Sequence, residues 1–392
     1  MEQEQQKRYR AWAEIDLNAL THNVQTVQNR LPAQTQFMAV VKANAYGHGD
    51  AAICQKLWEL GVRWFAVSNL EEALSVRQLC PYGEIFILGY TPPEFAPELA
   101  RNNIIQGVLS LEYARQLQSF AHQPVRCHIK LDTGMGRIGF RSNTPEDCAK
   151  ALLPLFELDK LSIEGIYTHF AVADSVDADD MAYTQAQEDF IVAVYDRLAE
   201  LGHTLKHLHF MNSAATVTRP NPRATLARVG IIMYGLEPNY PVHVPMELQP
   251  VMSLRSVVSH VKQVDAGTCI SYGRTYTADK PRTIATVTIG YADGQTTPPR
   301  HTTSRLRRRL RTSAVQSGGR TAPRQTLPHR GTGLHGSADA GRDRRAGRSQ
   351  AGRRCHHVRH RRRRNHYRRR TGSPVRNDRV RDRLRHFQTC AP

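Results

Sequence analysis

Polar residues that could carry out chemistry stand directly after apolar runs in the first part of the chain. Lys42 follows the run Phe37–Val41 in the string "VVKANAYGHG", and Tyr46 comes four residues later. An amine at the end of a buried strand is costly unless it faces a polar opening or is bonded covalently. Two interpretations stay open: a lysine that extends to solvent, or one desolvated enough to form a Schiff base with a carbonyl compound.

Two further strings place cationic residues after later apolar runs. "HIKLDTGMGRIGF" contains Lys130 and Arg137, and "IYTHF" contains His169. Arg137 is suited to a carboxylate or phenolate, although it could equally belong to a solvated turn. A lone histidine such as His169 is more often a packed, hydrogen-bonded residue than a catalyst. Each string alone is therefore compatible with a site without requiring one.

The next two strings indicate an anion site. "HFMNSAAT" places Asn212 and Ser213 at the start of a helix, where backbone N–H groups bind anions, or where Asn212 is an ordinary helix cap. "LARVGIIMYGL" contains Arg228 and Gly230. An arginine inside a buried strand needs a fixed acceptor. Tyr272, in "CISYGRTYTA", is by default a strand aromatic.

Eight apolar runs, mostly separated by amphipathic helical stretches, must position these residues. The runs are "FMAVV", "RWFAVSNL", "EIFILGY", "IIQGVLSL", "VRCHIKLDTG", "IEGIYTHF", "LKHLHFMNS" and "TLARVGIIMYGL". Near-continuous apolar runs are typical of parallel strands buried on both faces. They predict an α/β fold, a (β/α)₈ barrel over residues 1–240, with a doubly wound open sheet as the alternative. In a barrel, catalytic residues cluster at the carboxyl ends of strands, which is where these side chains stand.

The sequence pattern changes after about Glu237. "PVMSLRSVVSHVKQVDAGTCISYGRTYTA" and "RTIATVTIGYADG" contain alternating strands without helices. They predict the start of a mainly-β domain over residues 241–294. So few strands leave edges unpaired, so we expect this domain to be incomplete and its strands to lack partners.

The net charge of +19 belongs to the last quarter of the chain. Residues 295–392 contain 28 arginines, no lysine, four aspartates and no glutamate, whereas the preceding residues contain 26 Lys plus Arg against 31 Asp plus Glu. The body is therefore mildly acidic, and its charge does not indicate a nucleic-acid partner. Seven scattered cysteines without a Cys-x-x-Cys pair argue against a metal site and a disulfide framework. With no signal segment or membrane-length apolar run, we expect a cytoplasmic protein without a membrane partner.

Taken together and in this order, the strings closely resemble the bacterial alanine racemase family. The matching strings are "AVVKANAYGHG", "HIKLDTGMGRIGF", "YTHFAVAD", "MNSAAT", "RVGIIMYGL", "ISYGRTYTA" and "IGYADG", which extend from about Tyr9 to Gly294. The resemblance implies a (β/α)₈ barrel followed by a β domain, into which residues 11–17 pair as a strand. It also implies a homodimer that interconverts L- and D-alanine and supplies D-alanine for peptidoglycan.

The resemblance further implies pyridoxal 5'-phosphate as the cofactor, held by Lys42 as an internal aldimine. Lys42 and Tyr272 of the other subunit would be the two catalytic bases, and the pKa of Tyr272 would be lowered by His169 and Arg228. Arg228 would donate to the pyridine nitrogen, while Arg137 would contact the phenolic oxygen and the substrate. The remaining cofactor contacts implied are Tyr46, His169, Asn212, Ser213, Gly230 and Ile231. Lys130 is carbamylated in some family members.

The tail from residue 295 onward departs from the family. Three hypotheses compete: an Arg-rich nucleic-acid-binding tail, a disordered linker, and translation out of frame. We favour the frameshift, because arginine without lysine or glutamate is unusual for selection on charge alone. We then expect low racemase activity and poor solubility for this chain. A broad-specificity amino-acid racemase and a non-catalytic cofactor-binding barrel remain as alternative functions.

Overall fold

Eight parallel strands form the central sheet of the computed structural model, which describes residues 10–238, 246–274, 276–290 and the strand Ser337–Asp339. One strand, β1 (Ala11–Ile15), precedes them. The eight are β2 (Gln36–Val40), β3 (Trp64–Val67), β4 (Glu84–Ile87), β5 (Ile104–Val108), β6 (Val125–Lys130), β7 (Leu161–Tyr167), β8 (His207–His209) and β9 (Leu226–Val229). Each corresponds to one of the apolar runs in the sequence.

The strand order identifies the sheet as a barrel. Neighbours follow the chain from β2 to β8, and β9 pairs in parallel with β2. The last gap, between β8 and β9, is bridged by backbone hydrogen bonds from Thr225 N to Leu208 O (2.9 Å) and from Arg228 N to Met211 O (3.0 Å). A doubly wound sheet reverses its strand order at a switch point. This sheet does not, so the predicted (β/α)₈ barrel is confirmed.

Eight α-helices accompany the strands among the described residues. They are α1 (Leu17–Gln28), α2 (Asp50–Glu59), α3 (Leu70–Leu79), α4 (Ala96–Arg101), α5 (Leu111–Phe120), α6 (Pro145–Leu152), α7 (Ala178–Glu200) and α8 (Ser213–Thr218). Local sequence explains several helix starts, because Asp16, Asn69 and Ser110 accept hydrogen bonds from first-turn N–H groups. Among the described residues, none of these helices combines the length and apolar composition needed to cross a bilayer.

The barrel interior divides into two halves. The apolar half lies mainly on β2–β5, where Met38, Trp64, Ala66, Phe86 and Ile105 are all buried, and Tyr167 of β7 and Leu226 of β9 pack against it. The polar half lies on β6–β9. Its members are His128, Lys130, His207, His209 and Arg228, all buried except His207, which is partly exposed. One set of strands therefore supplies packing, and the other brings buried polar groups into contact.

Each strand that the structure describes beyond the barrel has at least one partner strand. β10 (Met252–Ser256) pairs antiparallel with the whole of β1, Ala11–Ile15, which is shorter than the strand expected over residues 11–17 because Leu17 already begins α1. β11 (Val258–Val264) pairs with β14 (Arg282–Val287), and β12 (Cys269–Ile270) pairs with β13 (Tyr276–Thr277). β15 (Ser337–Asp339) adds a third strand beside β14. The expectation that these strands lack partners is therefore wrong, because β11–β14 pair among themselves and the distant β1 and β15 supply the remaining partners.

Candidate active site

Lys42 follows β2 and opens a short turn, Lys42–Gly47, with left-handed backbone geometry. Ala43, Asn44, Ala45 and Tyr46 all have φ of 53–54°. No glycine stands at these four positions, and left-handed geometry costs an L-residue about 1–2 kcal/mol. The surrounding structure must therefore impose this turn, and such imposed strain is typical of functional sites.

Hydrogen bonds to two neighbouring helices hold the turn. Glu72 on α3 accepts a hydrogen bond from Ala43 N (2.7 Å) and another from Ser68 N (2.8 Å). Asn44 Oδ1 accepts from Asp50 N at the start of α2 (2.9 Å). The turn places Lys42 Nζ 5.9 Å from the centre of the Tyr46 ring. Lys42 is thus partly buried at the carboxyl end of the barrel, as its position in the sequence predicted.

Tyr46, Ser213 and Gly230 form a small polar cradle beside Lys42. Gly230 N donates to Ser213 Oγ (2.9 Å). A Cβ added at Gly230 would lie 3.2 Å from the Tyr46 hydroxyl oxygen and 3.5 Å from Ser213 Oγ. Burial raises the pKa of Tyr46, so its hydroxyl stays protonated and can donate. Ile231 follows at the first position of a 3₁₀ turn, Ile231–Tyr234.

Asn212 has a local structural role. Its Oδ1 accepts a hydrogen bond from Ala215 N (3.0 Å) and so caps α8. This is the ordinary-cap interpretation that the sequence left open. The cap fixes the start of α8, and Ser213 is the first residue of that helix. Asn212 therefore contributes to the cradle by orienting Ser213.

Arg228 is fixed by several acceptors. Its Nη1 donates to His209 O (2.7 Å), and its Nη2 donates to Thr168 O (2.6 Å) and Phe210 O (3.2 Å). Among the described residues, the Nε–H of Arg228 donates no hydrogen bond. Burial lowers the pKa of Arg228 to about 10, so it stays charged at neutral pH. The guanidinium is therefore rigid, cationic and left with one N–H to direct at a ligand.

His169 lies against Arg228 but carries no charge. Its Nδ1 is 3.4 Å from Arg228 Nη2. Burial, followed by the positive charge of Arg228, lowers the pKa of His169 to about 3. The expectation that His169 helps to supply positive charge to Tyr272 is therefore wrong, because desolvation keeps the imidazole neutral. Arginine only donates, so His169 Nδ1 accepts and Nε2 carries the hydrogen.

Lys130 and Arg137 differ in their exposure to solvent. Lys130 is buried, donates to Leu131 O (2.6 Å) and stands 5.3 Å above the centre of the Tyr167 ring. Burial and then the charge of Arg228 lower its pKa to about 7. Arg137 is exposed. Among the described residues, no hydrogen bond or ion pair involves its side chain, which leaves it available to a ligand.

Tyr272, the predicted second base, begins a 3₁₀ turn, Tyr272–Arg274, between β12 and β13. Its side chain lies outside what the structure describes. Its role therefore stays a prediction.

Sequence reasoning missed the histidines behind Arg228. His209 Nδ1 is 3.1 Å from Arg228 Nη1, and His209 Nε2 is 2.9 Å from His128 Nδ1. The signal was present: "HIK" and "HLH" place polar residues two apart, so that they share one face of a strand. Near-continuous apolar runs obscured this alternation.

Family models match most of the described chain. The model for the N-terminal domain of alanine racemase matches residues 15–238, and the model for its C-terminal domain matches residues 251–322. The second match runs past Gly294, where the recognisable strings end.

Individual proteins agree with the family models. Alanine racemase from Desulforamulus reducens is 40% identical over 288 residues, which cover 72% of this chain and 76% of that protein. Alanine racemase from Clostridium difficile 630 superimposes with a TM-score of 0.68 at 38% identity, covering 74% of this chain and 75% of that one. Histidine racemase from Leuconostoc mesenteroides has a TM-score of 0.64 at 28% identity, covering 73% and 76% respectively.

The residues at the barrel mouth suit the cofactor of this family. The space kept by Gly230 between two hydroxyl groups is suited to a phosphate, and Lys42 stands beside it. The free N–H of Arg228 is suited to a ring nitrogen. With the matched domains and the relatives, these features give the conclusion that this chain belongs to the alanine racemase family of pyridoxal-phosphate-dependent isomerases.

Proposed function

We propose that this chain interconverts L- and D-alanine by a two-base mechanism, with pyridoxal 5'-phosphate attached to Lys42. The observation that carries the proposal is the convergence of three features at one barrel mouth. They are the strained turn that presents Lys42, the hydroxyl cradle around Gly230, and the buried guanidinium of Arg228. In a bacterial cell the product D-alanine would supply peptidoglycan synthesis.

Lys42 has two tasks in this proposal. It anchors the cofactor, and its amine then moves the α-proton on one face of the amino acid once the substrate has taken its place. When bound, the cofactor supplies an electron sink that makes the α-hydrogen acidic. The cradle of Tyr46, Ser213 and Gly230 holds the phosphate, and Ile231 follows it. With the phosphate held there, the reacting carbon would stay within reach of the Lys42 amine.

Arg228 sets the electronic character of the site. Arginine keeps its proton, since even the lowered pKa of about 10 lies well above neutral pH. Its Nε–H would therefore donate to the ring nitrogen of a bound cofactor without protonating it. Arg228 would in this way moderate the electron sink that the cofactor supplies, which favours return of the proton to the same carbon over transamination. Arg137, exposed at the mouth, contacts the phenolic oxygen and the substrate carboxylate in this arrangement.

Tyr272 of the partner subunit in a homodimer acts on the opposite face. A free phenol is a weak base because its pKa lies near 10, so a cation must favour the phenolate. Arg228 supplies that charge. His169 contributes a neutral Nε2–H donor, because its Nδ1 faces Arg228. In this proposal Tyr272 would receive a hydrogen bond from His169 and positive potential from Arg228.

A racemase of broader specificity is the second candidate. The similarity to a histidine racemase at 28% identity favours it, because one barrel architecture accepts different side chains. Racemisation of L-alanine, L-serine and L-histidine at matched concentrations separates the two proposals. A preference for alanine of less than about tenfold, or roughly 1.4 kcal/mol, would favour the broader enzyme.

The decisive experiment mixes purified protein with pyridoxal 5'-phosphate and L-alanine. We expect a visible absorbance band from the bound cofactor and chiral detection of D-alanine. Lys42→Ala should lose both. Arg137→Ala should keep the band but lose activity, since Arg137 contributes contacts without anchoring. Formation of D-alanine by Lys42→Ala at the original rate would refute the proposal.

The Arg-rich segment is proposed to result from a change of reading frame and to impair this chain. The C-terminal family match ends at residue 322, so DNA from codon 294 to codon 322 should be sequenced. A single-base change there that restores a strand-rich continuation would support the proposal. The restored protein should then show higher activity and solubility than the present chain.

A further inference from the structure

A column of imidazoles lies behind Arg228 inside the polar half of the barrel. His209 Nδ1 is 3.1 Å from Arg228 Nη1, and His209 Nε2 is 2.9 Å from His128 Nδ1. All three side chains are buried. The column therefore begins at the guanidinium and extends away from the barrel mouth.

The direction of every hydrogen bond in this column follows from Arg228. Arginine only donates, so His209 Nδ1 is an acceptor and His209 carries its hydrogen on Nε2. That hydrogen points at His128 Nδ1, which makes His128 an acceptor there and a donor at Nε2. Burial lowers the pKa of both histidines well below the ordinary value, so both are neutral. With the hydrogen on Nε2 in both His209 and His128, each hydrogen bond of the column has one donor and one acceptor.

Two buried ring nitrogens at the far end of the column lack hydrogen-bond partners among the described residues. His128 Nε2 and His207 Nδ1 are both buried and have no hydrogen-bond partner among the described residues. The two residues lie on β6 and β8, on either side of Gly165 of β7 and in register with it, and their ring centres are 5.4 Å apart. The donor at His128 Nε2 and a second unpartnered ring nitrogen, His207 Nδ1, thus stand close together without bonding. Buried polar atoms of this kind are commonly bridged by an ordered water.

Aromatic neighbours hold the rings in place. Tyr167 stacks on His209 with centroids 5.0 Å apart and an interplanar angle of 9°. Phe86 lies 5.0 Å from the His128 ring, and Trp64 lies 4.8 Å from the His207 ring. These contacts restrict ring rotation. A change in one hydrogen bond is therefore passed along the column instead of being absorbed by movement of a side chain.

We propose that His128 is a positioning residue for Arg228, acting through His209, and that one buried water joins His128 Nε2 to His207 Nδ1. The column presents an acceptor to the guanidinium. Without an acceptor at position 128, His209 can move its hydrogen to Nδ1, where it opposes the N–H of Arg228. The catalytic consequence rests on the proposed function, because Arg228 would act on the cofactor ring. The tautomer of His209 is independent of the proposed function and can be measured whether or not the chain is a racemase.

The first test measures that tautomer directly. Side-chain ¹⁵N NMR of the full-length protein distinguishes Nε2–H from Nδ1–H imidazole. His128→Leu removes the acceptor, whereas His128→Asn keeps an oxygen in the place of Nδ1. Ile105→Val, in the apolar half, is the matched control for altered packing. We expect the Nε2–H signal of His209 to change in His128→Leu and to persist in His128→Asn and Ile105→Val.

The second test uses kinetics of the cofactor-loaded enzyme. His128→Leu should lower kcat about tenfold, the effect of roughly one hydrogen bond, while His128→Asn restores most of it. An unchanged His209 signal in His128→Leu overturns the column even if the enzyme is inactive for other reasons. A changed signal with normal kcat refutes the positioning role alone. Crystallographic density within about 3 Å of both nitrogens tests the water, and its absence overturns that part.

Discussion

The two halves of the barrel interior are built from different interactions. The apolar half on β2–β5 is filled by side chains such as Met38, Phe86 and Ile105. The polar half on β6–β9 is filled by groups such as His128, Lys130 and Arg228, which find hydrogen-bond partners or titrate at lowered pKa. Apolar packing is non-directional and tolerates exchange of similar shapes. Hydrogen-bonded groups have one geometry, and an unpaired member is costly.

This difference separates stability from chemistry within one fold. A substitution in the apolar half should change the free energy of unfolding and leave the turnover number nearly unchanged. A substitution in the polar half should change both the free energy of unfolding and the turnover number, because the groups there interact with Arg228 directly or through a neighbouring side chain. The following predictions test that separation, beginning with the largest expected effect.

Arg228→Met removes the centre of the polar half. The carbonyls of Thr168 and Phe210 lose the guanidinium as donor, and His209 O keeps only the hydrogen bond from Thr168 N. We expect about 3 kcal/mol less stability, since each buried unsatisfied group costs about 1–3 kcal/mol, and at least about a 100-fold loss of kcat. Urea unfolding and racemisation assays measure the two. Near-native activity with full stability would contradict the central role of this residue.

Lys130→Met replaces a buried amine whose pKa is lowered from 10.5 to about 7. Between these values the unfolded chain binds more protons than the native one, so native stability relative to the variant rises with pH. Below pH 7 the amine is charged and its burial cost is complete. The difference should amount to a few kcal/mol. Urea midpoints from about pH 6 to pH 10, in bicarbonate-free buffer, measure it, and a constant difference would contradict a titrating amine.

Gly165→Ala places a methyl group between the two histidine-bearing strands. The added Cβ would lie 2.9 Å from His128 Cδ2 and 2.9 Å from the His207 carbonyl oxygen, so atoms must shift. We expect a loss of about 1–3 kcal/mol and a fall in kcat as His128 moves. Gly83→Ala is the control, because its methyl would meet only the side chains of Phe65 and Cys80. Equal effects on kcat in both variants would argue against the column.

Ile105→Val should have the smallest effect. It removes one methyl group from the apolar half, where Ile105 is fully buried, and should cost about 0.5–1.5 kcal/mol. The turnover number should stay within about twofold of the native value. Thermal unfolding with parallel kinetics measures both quantities. A larger fall in kcat than in His128→Leu would invalidate the separation of the two halves.

Much of the barrel was predictable because its determinants are local. Buried parallel strands require apolar runs, and all eight runs became strands β2–β9. Lys42, Ser213 and Gly230 could be placed at one mouth because the carboxyl ends of barrel strands meet there. The roles of individual residues were less predictable from the sequence. Asn212 was open between a ligand contact and a cap, and the cap is what its hydrogen bond to Ala215 N forms.

Three features depended on contacts between distant segments. Residues 337–339 pair with β14 although nothing in their local sequence indicates a strand. His169 is neutral because Arg228, 59 residues away, and burial both oppose its protonation. The His128–His209 hydrogen bond joins strands separated by 81 residues. Local patterns cannot report a pKa or a tautomer that distant charges and burial set.

The sequence by itself determined which residues reach the barrel mouth, because strand ends follow from the apolar runs. Only the tertiary structure decided how they are held there. "KANAYG" contains no glycine at its four left-handed positions, and Glu72 and Asp50 impose that geometry from α3 and α2. Backbone strain of several kcal/mol persists only where packing and hydrogen bonds from other elements exceed it. That balance exists only in the folded chain.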